Sequence, residues 1–77
     1  MAYQIIFHPD AETEYITGYR EYEAKQEGLG TRFEFEVDIL ISRIAAHPQI
    51  YGYGCKPYRE VCVKDFPYVV VYKINQK

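Results

Sequence analysis

Three features of this sequence predict an α+β domain, in which an antiparallel αα-hairpin packs on a small antiparallel sheet in the order β-α-α-β-β. One is residues 58–74, YREVCVKDFPYVVVYKI, whose β-branched and aromatic side chains fit a pleated, half-buried surface. Another is a pair of segments with apolar residues at three- and four-residue spacing, parted by Gly28-Leu29-Gly30. The last is length: 77 residues make a single domain. A chain near that length buries roughly 60% of the surface its unfolded form exposes.

Residues 3–7, YQIIF, are the first strand, a short apolar run ended by His8-Pro9-Asp10. Pro suits the first helical position, and acids suit the positive end of a helix dipole. A helix is therefore predicted over 9–26, with His8 before it and Asp10 and Glu12 in its first turn. Ala11, Tyr15, Gly18, Tyr19 and Tyr22 form its apolar stripe. Gly18 costs about 1 kcal/mol relative to Ala inside a helix; its place in the stripe suggests close approach of a second helix.

Gly28 suits a left-handed residue after that helix. Thr31 opens the second helix, and Glu34 three residues on fits a capping box. Leu29, Phe33, Val37, Leu40 and Ile44 form its stripe, and Pro48 stops it after His47. Phe35, Ile39 and Ile41 widen the apolar surface. The helix then either lies between the sheet and the first helix or shows a second face to a partner. So short a connection makes the two helices an antiparallel hairpin. Residues 49–57, QIYGYGCKP, are a loop returning the chain to the sheet.

The remaining strands form a β-hairpin. In 58–64, Arg59, Val61 and Val63 share one face and Glu60, Cys62 and Lys64 the other. Asp65 and Pro67 favour a turn over 64–67. Residues 68–74 are apolar as far as Lys73, which predicts a strand covered on both faces with a neighbour on each side. Strand up, helix down, helix up, strand down places 3–7 antiparallel to 58–64 and beside it. The far edge of 68–74 then lacks a neighbour within the chain. Such an edge recruits a strand, from another protein or from a second copy as a homodimer.

Hydrophobic content of 48% with 26% charge excludes the disordered class. Nine tyrosines favour partly buried or interface positions. Through His47 there are nine acids against four bases, and from Pro48 onward five bases against two acids. Two readings fit: a basic sheet facing an anionic partner, or Glu-rich helices with lysines protecting strand edges. Cys55 and Cys62, without a signal pattern or long apolar run, indicate free thiols in a reducing compartment and no membrane span. With His8 and His47 they match no common zinc spacing, and no metal or cofactor is expected.

Several of these residues, in order, resemble the RelE/ParE toxin superfamily. They are His8-Pro9-Asp10-Ala11, Tyr19, Gly28-Leu29-Gly30 with Arg32-Phe33, then Ile44, Pro48, Tyr51, Arg59 and Phe66-Pro67-Tyr68 with Tyr72. The resemblance spans essentially the whole chain, and the Phe-Pro-Tyr…Tyr element is its most specific part. It implies a small cytoplasmic toxin of a type II toxin–antitoxin module, of the kind called plasmid-stabilisation proteins, which inhibits growth and is neutralised by a cognate antitoxin. In the family, ParE-type members inhibit DNA gyrase and RelE-type members cleave mRNA in the ribosome. Two departures stand out. Val69 occupies the position, three before Tyr72, where RelE-type nucleases carry Arg. The family also continues into a further strand, and this chain ends at Lys77 before it.

Metal-free RNA cleavage needs a base, an acid and cations for the phosphorane charge. Arg59, Lys56 and Lys64 are the candidate catalytic cations, with Lys73 beside them and Tyr58, Tyr68 or Tyr72 available to stack on a base. No His lies in the strand half, and Lys and Tyr are poor acids or bases without large pKa shifts. The expectation is therefore a ParE-like toxin that binds a protein target such as gyrase. Arg59, Tyr68, Val70, Tyr72 and Lys73 of the sheet, with Phe35 and Ile39 of the second helix, are its candidate surface for target or antitoxin. The alternatives are a RelE-type endoribonuclease holding phosphate through Arg59, Lys56 and Lys64, and a truncated, non-toxic interaction module.

Overall fold

In the computed structural model, which describes residues 3–76, the chain runs β1 (Tyr3–Phe7), α1 (Ala11–Lys25), α2 (Leu29–Ala46), β2 (Arg59–Cys62) and β3 (Val69–Gln76). The α+β class and the β-α-α-β-β order are those the sequence predicts. Strand order is not. The sheet runs β1-β3-β2, with both outer strands antiparallel to β3. The predicted pairing of 3–7 beside 58–64 is therefore wrong, and β1 and β2 point the same way on opposite sides of β3. Residues 47–58 are not a simple return but complete a crossover that brings β2 to the far side of β3. The apolar β3 does have neighbours on two sides, but they share it unequally. β2 pairs with Val69, Val70, Val71 and Tyr72, and β1 pairs only from Tyr72 to Gln76.

The helix-facing side of the sheet follows the register. Ile5 lies opposite Ile74, Phe7 opposite Tyr72, and Val61 opposite Val70. These residues meet the α2 stripe, of which Phe33, Val37, Leu40 and Ile44 are buried and Leu29 packs at the margin. Val63, Phe66, Val70 and Tyr72 complete the core. Phe33 is its centre: its ring lies 4.9 Å from Tyr68, 5.1 Å from Tyr22 and 5.3 Å from Phe66. The α1 stripe of Ala11, Tyr15, Gly18, Tyr19 and Tyr22 is half-buried throughout, and α1 has no fully buried residue. Helix α1 thus packs on α2, and its N-terminal part stands off the sheet.

Helix ends differ from expectation in instructive ways. Pro9 lies outside α1, and His8 Nδ1 accepts a hydrogen bond from the Asp10 amide at 3.1 Å. Gly28 is left-handed (φ 87°), as predicted, but α2 starts at Leu29 and no capping box forms. Its cap is the Glu23 carboxylate of α1, which accepts from the Gly28 and Gly30 amides, each at 2.9 Å. An anion there satisfies two orphan donors and complements the helix dipole. Of the two helical glycines it is Gly30, not Gly18, that has no room for a side chain: a Cβ on Gly30 would lie 2.8 Å from the Tyr19 carbonyl, whereas one on Gly18 meets the Phe33 ring at 3.4 Å.

The other side of the sheet carries Ile6, Tyr58, Val69, Val71 and Lys73, none of which is fully buried. Val69 is 39% exposed. The expectation that β3 is covered on both faces therefore fails.

Candidate functional site

The predicted site residues fall in different places. Arg59 shares the face of Phe7 and Tyr72, and its guanidinium turns back on the loop before β2. Nη1 donates to the carbonyls of Gln49 (3.3 Å) and Tyr51, and Nη2 donates to the Tyr53 hydroxyl at 3.0 Å. The guanidinium also lies 4.2 Å from the Tyr53 ring centre. The same loop is stitched to β2 by the Glu60 amide on Gly52 O (3.1 Å) and the Gly54 amide on Tyr58 O (3.2 Å). These bonds cover part of the outer edge of β2. Arg59 is thus a brace for the 49–54 segment.

Lys56 sits over the Tyr53 ring at 5.1 Å, and Lys64 is exposed before the hairpin turn. In that turn Asp65 is left-handed (φ 67°), and its carboxylate is held at 2.6 Å by Arg32 of α2. Lys73 is on the other side of the sheet, 5.6 Å from the centre of the Tyr58 ring, which also lies 5.3 Å from His8. Val70 and Tyr72, predicted to meet a partner, instead point into the core at 7% and 0% exposure. The Tyr72 hydroxyl donates to Pro48 O at 2.7 Å. Phe35 is exposed at 62%, and Ile39 is half-buried on the same helix. Both cysteines are free and exposed. Among the described residues no acidic, His and Cys cluster could hold a metal ion, and no helix is long and apolar enough to cross a membrane.

One feature that sequence reasoning missed is a cleft. Strand β1 ends at Phe7, and His8-Pro9-Asp10 leads away into α1 after a last ladder bond from the His8 amide to Val71 O (3.0 Å). The start of β3 continues beyond this point with no strand on that side. Ladder phase fixes which groups are left. Val63 bonds to Tyr68 O, so Val70 and Tyr72 also bond toward β2, and Val69 and Val71 face the β1 side; there the Val71 carbonyl is taken by the His8 amide, and the main-chain groups of Val69 and the Val71 N–H face the gap that β1 has left. Over this short edge lies a cleft of about 650 Å³. Its walls are the β1–α1 turn, Tyr15 of α1, Val37 and Ile41 of α2, and Tyr68 to Val71. A shallower depression beyond it, along Thr13, Thr17 and Glu21 of α1, shares Glu14, Tyr68, Val69 and Val71 with the first.

The cleft is apolar within and acidic at its margin, where Glu12, Glu14 and Asp38 are the only charged side chains among the described lining residues. Its field is felt by the tyrosines. Burial, then the Glu14 charge, pushes the Tyr68 phenol up from the ordinary tyrosine range. Burial, then Glu34 and Asp38, does the same for Tyr15. Both effects disfavour a second negative charge in this region. The signal in the sequence was the apolar run of β3, which predicted an open edge but assigned it to the whole strand. No family model, curated protein or solved structure matches this chain.

Proposed function

We propose that this chain is the toxin of a RelE/ParE-type toxin–antitoxin pair and acts by binding a protein target, with DNA gyrase the first target to test. The observation that carries the reading is the convergence of the residues on which the resemblance rests. Phe33, Phe66 and Tyr68 form one aromatic cluster, and Tyr72 from the same core fastens Pro48. Residues scattered through the sequence thus act together as the frame of the αα-hairpin and sheet. Binding is favoured over RNA cleavage because the best cation candidate, Arg59, has its donors on loop carbonyls and a tyrosine hydroxyl. Moving it to a phosphate would take the guanidinium from the part-buried Tyr51 carbonyl, at a cost of about 1–3 kcal/mol if that group stays buried.

The purified chain is expected to inhibit gyrase supercoiling at micromolar concentration, and expression in a bacterial host is expected to arrest growth. Undiminished supercoiling, together with ribosome-dependent mRNA cleavage that Arg59→Ala abolishes, would reverse the order of the two activities.

A further inference from the structure

We propose that the uncovered start of β3 is a strand-addition site for a basic, alternately apolar peptide segment, which pairs with Val69 and the Val71 amide in line with β1 and lies beneath α1. The inference concerns this cleft and stands independently of the toxin reading. Three observations carry it. First, ladder phase aims the main-chain groups of Val69 and the amide of Val71 (whose carbonyl is held by the His8 amide) into the gap left by the early end of β1, and Val69 is 39% exposed. An unpaired strand edge is a template for an extended segment. Second, the cleft over that edge has about 650 Å³ with apolar walls, so side chains on one face of an added strand have somewhere to go.

Third, charge selects among occupants. Glu12, Glu14 and Asp38 line the cleft, with no lysine or arginine among the described lining residues. A second copy would have to offer a strand of its own, and the strand with an open outer edge, YQIIF, carries no charge. A segment with lysine or arginine on its outer positions meets both requirements: main-chain pairing with β3 and charge complementarity with the rim.

The test uses the full chain labelled with ¹⁵N and three capped heptapeptides. One alternates lysine and valine, one alternates glutamate and valine, and one is the lysine peptide N-methylated at the amides that would face β3. The lysine peptide is expected to shift and protect the Val69 and Val71 amides. The glutamate peptide is expected to bind roughly tenfold more weakly or worse, and methylation to abolish binding. Glu14→Gln is expected to weaken the lysine peptide a few-fold without changing the thermal midpoint, since Glu14 is exposed. Four results would each overturn the proposal: no shift at Val69 and Val71, equal affinity for the acidic peptide, binding that survives methylation, or concentration-dependent shifts of the same amides without peptide. The last would assign the edge to self-association. Gyrase inhibition is read separately, so the cleft and the toxin reading can fail independently.

Discussion

Replacing Tyr72 by Phe removes one oxygen from a side chain with 0% exposure, and that oxygen is the donor to Pro48 O. The ring still fills its place, so the expected loss is that of a buried hydrogen bond whose acceptor stays behind, about 1–2 kcal/mol. The urea midpoint at neutral pH should report it. The same substitution has a second effect at high pH. Burial raises the Tyr72 phenol pKa, against a smaller lowering by Arg59, and Tyr15 and Tyr68 are raised as well. Unfolded tyrosine ionises near pH 10. Above that pH the unfolded chain sheds protons that the fold retains, so stability present below about pH 10 is lost as pH rises through the folded values. Tyr72→Phe should make that alkaline decline shallower; an unchanged slope would mean that Tyr72 does not contribute to it. Arg59 teaches a related lesson. Its position on the alternating strand was legible, but its partners are main-chain carbonyls, which residue identities do not reveal.

Helix identity was legible because the stripes of α1 and α2 are regular, and the same residues face the core. Helix capping was not, because Glu23 reaches across the turn to another helix, and no local motif records that contact. The glycines separate the two kinds of information. Within a helix each exchange of Gly for Ala gains about 1 kcal/mol of propensity. At Gly18 the added methyl meets the Phe33 ring at ordinary contact distance, so Gly18→Ala should stabilise by up to about 1 kcal/mol. At Gly30 the methyl would strike the Tyr19 carbonyl and the capping Glu23, so Gly30→Ala should destabilise despite the gain in propensity. Thermal midpoints of the two variants should move in opposite directions. A rise in the Gly30→Ala midpoint would show that α1 and α2 do not meet at Gly30 as described, and a fall in the Gly18→Ala midpoint that the Phe33 ring leaves no room for the methyl.

At the scale of the molecule, sheet order decides where the surface opens. The apolar sequence of β3 announced a central strand, yet periodicity carries no information on which strand lies beside it. The order β1-β3-β2 depends on a crossover through residues 47–58, held by Arg59, Tyr53 and the Pro48–Tyr72 bond. From that order follow both a mostly paired β3 and the short gap at its start. Amide hydrogen exchange of the free chain tests this most directly. Val70 and Tyr72 should be protected by β2 and Lys73 by β1, while Val69 and Val71 between them exchange rapidly. Protection of Val69 and Val71 equal to that of Val70, or an unprotected Lys73, would contradict the account.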